Sequence, residues 1–241
     1  MSTLPFWLAP HVAEHGIGAL IDHTLLKPEA TEGDIVRLCD DAIRLQLGTV
    51  CVNGQWVDSA AARVRQAGIR TAAVVGFPLG ANGLAAKVGE THLVISGGAD
   101  EIDMVLSLGR AREGRWDLVR DEIVAVVEAA QGRVVKVILE TAALSDAEVE
   151  RACTASLEAG AAFVKTSTGF HPAGGATVEA VTLMRRIVGD RAGVKASGGI
   201  RTAEDALRML KAGADRIGSS AAAGWGAAVG PGAPRFAELL A

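Results

Sequence analysis

The sequence is short of the features that would send a chain to a membrane, a nucleic acid or an oxidising compartment. It holds only 3 cysteines in 241 residues. Cys39, Cys51 and Cys153 are odd in number, far apart and without a CxxC spacing, which excludes a disulfide framework and a cysteine-rich zinc site. They are expected to be reduced and buried. No 18-residue apolar run free of charge occurs, and the opening "MSTLPFWLAP" lacks the cationic start and apolar centre of a signal peptide, so no membrane partner and a cytoplasmic location are expected. Basic residues are scattered and the net charge is −4, which removes the electrostatic footprint of a nucleic-acid binder. His11 and His15 have an i, i+4 spacing with no third ligand nearby, and His23, His92 and His171 are dispersed, so no metal site is expected.

What remains is a soluble composition of small aliphatic side chains: 49% hydrophobic, 4% aromatic and 29 glycines. Eight short apolar or β-branched runs recur, at 19–24, 48–53, 70–78, 101–107, 133–141, 161–168, 193–197 and 215–220. Amphipathic stretches such as "EGDIVRLCDDAIRLQ", "DLVRDEIVAVVEAAQ", "DAEVERACTASLEAG" and "TAEDALRMLKAG" lie between them. Strand followed by helix, repeated, demands parallel strands with crossover helices, and eight such units in about 200 residues suit a closed (β/α)8 TIM barrel. The alternative, an open dinucleotide-binding sheet, lacks its GxGxxG in the first strand-to-helix turn. The chain is expected to be one α/β domain over residues 1–241, with a short N-terminal helical segment and a Gly/Ala/Pro-rich tail from "GWGAAVGPGAP" onward.

Four ionisable residues sit where a buried strand should be apolar. Asp103, Lys136, Lys165 and Lys195 occupy the fourth to seventh runs, which are neighbours around a barrel. One such lysine could snorkel out of a strand end. Four on adjacent strands converge at the carboxyl-end mouth, where crowded, partly desolvated ammonium groups leave at least one of them neutral and nucleophilic. A neutral amine forms a Schiff base with a carbonyl, and a carboxylate such as Asp103 moves the protons of that step. Which lysine is the nucleophile stays open at this level, as does whether Asp103 is more than a salt-bridge partner. Glycine turns "STG" (167–169), "SGGIRT" (197–202) and "IGSS" (217–220) follow the last three strands, where barrel enzymes hold phosphate on exposed backbone N–H groups; Ser219 and Ser220 could add hydroxyls. Their plainer reading is as capped turns, Thr202 standing just before a helix.

"DHTLLKPEAT", "VCVN", "VVGFPLGA", "EIDMV", "FVKTSTGF" and "VKASGGIRT", in that order from Asp22 to Thr202, together resemble the deoxyribose-phosphate aldolases, a class I aldolase family. The resemblance runs from about residue 17 to about residue 221. It implies a (β/α)8 barrel that reversibly cleaves 2-deoxy-D-ribose 5-phosphate, the expected small-molecule partner, to acetaldehyde and D-glyceraldehyde 3-phosphate without metal or organic cofactor. It further implies Lys165 as the Schiff-base lysine, Lys195 as the second lysine that depresses its pKa, and Asp103 as proton shuttle. By the same resemblance Gly169, Gly198, Gly199, Gly218 and Ser219 or Ser220 hold the phosphate, Asp22, Thr24 and Cys51 line the substrate pocket, and Lys136 is a supporting charge. For Cys51 a small buried thiol is the simpler expectation. A homodimer or homotetramer is the family expectation.

Some positions depart from the family pattern. Gly54 stands where many members carry proline, "LSLG" (106–109) replaces a more usual "INIG", and "GSSAAAG" (218–224) is offset from the usual serine-rich turn. Some members end in a tyrosine that helps move the proton at the methyl carbon of acetaldehyde; this sequence has no tyrosine, so water or another group takes that task. Two other readings share the residues: a Schiff-base aldolase for a different phosphorylated sugar, and a non-catalytic sugar-phosphate binding barrel. The second has no use for lysines whose mutual repulsion costs stability.

Overall fold

A computed structural model describes residues 16–234 and Glu238. The expected N-terminal helical segment and the His11–His15 pair lie outside these residues, apart from one 3-10 turn at Ile17–Leu20. Eight parallel strands close into a barrel in sequence order. They are β1 (Ile21–Leu25), β2 (Thr49–Val52), β3 (Arg70–Val75), β4 (Glu101–Val105), β5 (Val134–Ile138), β6 (Phe163–Lys165), β7 (Gly193–Ser197) and β8 (Arg216–Ser219). Around them run α1 (Glu32–Leu45), α2 (Val57–Val64), α3 (Leu84–Ser96), α4 (Leu108–Arg112), α5 (Trp116–Ala129), α6 (Asp146–Glu158), α7 (Val178–Val188) and α8 (Ala203–Lys211). None of the described helices is long and apolar enough to cross a membrane.

The helices start where short polar side chains can satisfy their first N–H groups. Thr31 with Asp34, Ser145 with Glu148 and Thr202 with Asp205 form reciprocal capping boxes at α1, α6 and α8. β3 and β5 end earlier than their apolar runs suggest, for local reasons. β3 stops at Val75 because Gly76 turns at φ +64°, and a Cβ there would meet Lys87 Cε at 2.8 Å. β5 stops at Ile138 because Glu140 takes a left-handed conformation before the turn Thr141–Ala143.

Period-two alternation divides the side chains of each strand between two cores. Outward residues such as Val50, Val52, Ile102, Met104, Val135, Val137, Val164, Val194 and Ile217 join one apolar layer with the helices. The barrel interior is split differently: Leu26, Cys51, Ala72 and Val74, with Phe77 against them, make an apolar wall on the side of β1 to β3. Phe163 closes part of the lower interior, and Gly193 beside it has no side chain because a Cβ would stand 2.2 Å from the Phe163 ring. Gly193→Ala is therefore expected to destabilise the fold by about 1–3 kcal/mol through overpacking, measurable by urea unfolding.

A buried ion pair outside the barrel steadies β4. Lys87 of α3 is fully buried, and its Nζ donates to Glu122 of α5 at 2.8 Å and to the Val105 carbonyl at 2.8 Å. Burial pulls the Lys87 pKa down, against the pull of Glu122 in the other direction. The pair ties two helices to the carboxyl end of the strand that carries Asp103.

Candidate active site

On the β4 to β8 side the barrel interior is a ladder of buried charges. Because side chains alternate, Glu101 and Asp103 of β4 both point inward, and the register sets Asp103 level with Lys136 and Lys165 level with Lys195. Asp103 is the hub: Oδ1 accepts from Lys136 Nζ at 2.7 Å, while Oδ2 accepts from Lys165 Nζ at 2.8 Å and Lys195 Nζ at 2.7 Å. Lys195 donates as well to Asp22 of β1. Below, Lys136 meets Glu101 at 2.5 Å, and Arg216 of β8 bonds Asp22, Glu101 and the Thr49 hydroxyl. Asp22, Asp103, Lys136 and Lys195 are entirely buried, and Glu101, Lys165 and Arg216 nearly so.

The ladder separates the lysines chemically. Burial pushes the Lys195 pKa down, but Asp103 and Asp22 on either side outweigh it and hold the ammonium far above its ordinary range. For Lys165 burial is the largest influence; Asp103 pulls the other way, Lys195 repels, and its pKa is lowered. The repulsion expected of Lys195 is thus present but second to desolvation. Counting sides gives the same answer. Lys136, Lys165, Lys195 and Arg216 face Asp22, Glu101 and Asp103, so a charge on Lys165 would make four buried cations against three buried anions, an excess that pushes in the same direction. Arg70 reaches Glu101 at 3.2 Å from a 40% exposed position and counts with the solvent.

The carboxylates make a stability prediction. Burial raises the pKa of Glu101, yet Arg216 and Lys136 outweigh it and bring it to about 2. A carboxyl with a depressed folded-state pKa stabilises fully above its ordinary value and loses that contribution as pH falls toward the folded one. Between pH 5 and 2.5 the thermal midpoint should drop steeply, with Glu101 alone accounting for about 2 kcal/mol. Glu101→Gln should start less stable at pH 6 and lose less across the same interval, as read by calorimetry.

Above Asp103 opens a cavity of about 330 Å3 at the carboxyl ends of the strands. Of the three lysines on Asp103, Lys165 alone lines it. Thr24, Gly169, Gly198, Gly199, Gly218, Ser219 and Ser220 are in its wall, whereas Asp22, Cys51, Asp103, Lys136 and Lys195 stand beneath it in the barrel. Gly198 takes φ +85°, and a Cβ on it would lie 3.0 Å from Gly175 Cα, so the turn after β7 packs backbone against backbone. Gly218 serves the ladder too: a Cβ there would press on Ser197 at 2.9 Å and on Lys195 Cε at 3.2 Å. The Ser219 hydroxyl is engaged, donating to the Ile200 carbonyl at 2.8 Å and accepting from the Ala221 N–H at 3.0 Å, while Ser220 is exposed. Thr24 donates to the Asp22 carbonyl at 2.8 Å. Burial pushes the Cys51 thiol up, so it is no thiolate.

Four residues of the site escaped the sequence reading. Glu101 and Arg216 complete the ladder; the two-residue spacing of Glu101 and Asp103 on one strand, and an arginine opening the eighth run, were the available signs. Lys27 and Arg201 are exposed on the cavity wall and give it positive charge. Both lie inside motifs already singled out, "DHTLLKPEAT" and "SGGIRT". No group of three or more His, Cys, Asp or Glu among the described residues could hold a metal ion.

Comparison with known proteins meets this geometry from another direction. A family model described as DeoC/LacD family aldolase matches residues 18–231. A deoxyribose-phosphate aldolase of Caldanaerobacter subterraneus subsp. tengcongensis is 52% identical over 208 residues, covering 85% of this chain and 90% of the relative. One from Streptococcus sanguinis is 52% identical over 201 residues, covering 83% and 91%. Among solved structures, the tetrameric deoxyribose phosphate aldolase of Aeropyrum pernix superposes with a TM-score of 0.80 at 33% identity, over 89% of this chain and 94% of that one.

Proposed function

The chain belongs to the DeoC/LacD family of aldolases, and from that premise and its buried charge ladder we propose how it cleaves 2-deoxy-D-ribose 5-phosphate to acetaldehyde and D-glyceraldehyde 3-phosphate. The observation that carries the reading is Lys165: an amine of lowered pKa in the cavity wall, 2.8 Å from a carboxylate that two other ammonium groups keep ionised. Its neutral Nζ attacks C1 of the open-chain sugar, and Asp103 relays the protons as the carbinolamine loses water to give the iminium. The iminium withdraws electrons from the C2–C3 bond. As that bond breaks, the C3 hydroxyl gives up its proton, glyceraldehyde 3-phosphate leaves, and the electron pair stays on C2 as an enamine. Protonation at C2 and hydrolysis then release acetaldehyde and return the free amine.

Lys195 does not react in this scheme. Pinned between Asp22 and Asp103 it remains an ammonium, which disfavours a second positive charge on Lys165 and favours the negative charge on Asp103. The phosphate belongs among the turns at Gly169, Gly198–Gly199 and Gly218–Ser220, with Lys27 and Arg201 as counter-charges at the rim. The three buried thiols favour a reducing, cytoplasmic setting. Assembly as a homodimer or homotetramer is carried forward with support from the tetrameric Aeropyrum pernix relative, and sedimentation velocity would test it.

The direct test is to incubate the protein with acetaldehyde, reduce with borohydride and map the modified lysine by mass spectrometry. An ethyl group confined to Lys165 and suppressed by 2-deoxyribose 5-phosphate is expected. Lys165 left unmodified, or label scattered over other amines, would favour a non-catalytic sugar-phosphate barrel instead.

A further inference from the structure

Glu140 is a buried carboxylate that the scheme above does not use. It stands two residues beyond β5 with φ 58° and ψ 56°, a left-handed conformation that is unfavourable for a residue with a side chain and persists only where the surroundings impose it. The residue is 1% exposed, and among the described residues no cation pairs with it. Its oxygens accept instead from the Thr168 N–H at 3.2 and 3.3 Å and from the Thr168 hydroxyl at 2.5 Å. That hydroxyl in turn accepts the Phe170 N–H at 3.1 Å. On either side of Glu140 the chain is tied to the same segment, Leu139 N–H to the Lys165 carbonyl and Thr141 N–H to the Thr166 carbonyl, both at 2.9 Å. The Phe170 ring then meets Phe77 of the β3 turn edge-on, with centroids 5.2 Å apart.

A carboxylate taken out of water at a strained position is a costly way to finish a strand. Its bonds all go to one place, the three-residue turn between the Schiff-base lysine and the mouth of the cavity. We infer that Glu140 is a positioning residue: by holding Thr168 it sets the turn that presents Gly169 and Phe170, and thereby sets affinity for the phosphate end of the substrate. This rests on the phosphate placement proposed above. A left-handed turn is the means by which the chain stays bonded to Lys165 and Thr166 on either side of this residue while its side chain is aimed at the tip of the β6 turn.

The test compares Glu140→Gln, Thr168→Val and Thr168→Ser in the full chain, on 2-deoxyribose 5-phosphate and on unphosphorylated 2-deoxyribose. Glutamine and valine should raise KM for the phosphorylated sugar about tenfold or more with kcat within about twofold, and leave kcat/KM for the unphosphorylated sugar within about twofold. Thr168→Ser, which keeps the hydroxyl, should stay within about twofold on both. Equal losses on both sugars would reduce Glu140 to a fold residue and overturn the inference, as would no loss on either. Should Glu140→Gln fail to fold, the two Thr168 variants carry the same contrast with the carboxylate in place. Calorimetric binding of inorganic phosphate reads the effect without turnover. A parent protein that binds phosphate but cleaves neither sugar would sink the aldolase reading, while weaker phosphate binding in Glu140→Gln would still uphold this one, and unchanged binding would overturn it.

Discussion

Leucine in place of Lys165 is expected to abolish cleavage, lowering kcat/KM by at least about 10^4-fold, while leaving the folded protein no less stable than its parent. The activity half follows from losing the only amine of the ladder that reaches the cavity. The stability half follows from charge. In the proposed scheme the resting Lys165 is a neutral amine and neutralises no buried carboxylate, so an apolar side chain of similar volume removes nothing the ladder needs. The same substitution at Lys195 should behave oppositely in the second respect, costing about 3–5 kcal/mol because Asp22 and Asp103 would lose a shared cation. Urea unfolding of both variants at neutral pH, beside their steady-state rates, checks the pair of expectations. Equal destabilisation by the two would mean that Lys165 is charged in the resting protein and that the nucleophile has been misassigned.

Asp103→Asn carries the other large effect. Two ammonium groups, Lys136 and Lys195, and the Lys165 amine lean on this carboxylate, so its removal is expected to destabilise the fold by about 3–5 kcal/mol and slow turnover by about 10^2 to 10^4-fold. The pH profile reads the contact between Asp103 and Lys165 apart from the loss of rate. Asp103 raises the Lys165 pKa, so without it the amine should be neutral to lower pH and the acid limb of the rate profile should shift downward. Borohydride trapping of acetaldehyde at Lys165 should survive in a variant that hardly turns over. A profile that keeps its parental acid limb would show that the limb reports some other group.

The barrel was readable from the chain because eight apolar runs and their intervening amphipathic stretches admit few parallel topologies. The ends of the runs were not readable, since Gly76 and Glu140 end strands through backbone conformations imposed by distant partners, Lys87 in one case and Thr168 in the other. Convergence of Asp103, Lys136, Lys165 and Lys195 followed from strand adjacency. The ranking of the lysines did not, because it depends on Asp22 arriving from the first strand to flank Lys195 across the closure of the ring. Arg216 was lost for a related reason: it reads as a solvated charge at a strand start until its two carboxylates, from β1 and β4, are seen around it.

The burial of the lysines has one more consequence, for survival in the presence of the protein's own product. The sequence contains six lysines, at 27, 87, 136, 165, 195 and 211. Lys87, Lys136, Lys165 and Lys195 are inside, leaving only Lys27 and Lys211 exposed, and the three thiols are buried. Almost all of the surface's positive charge is arginine, whose guanidinium stays protonated and adds to carbonyls poorly. A protein that releases acetaldehyde thus offers it few side chains to alkylate or crosslink, and should outlast lysine-rich proteins when aldehyde accumulates.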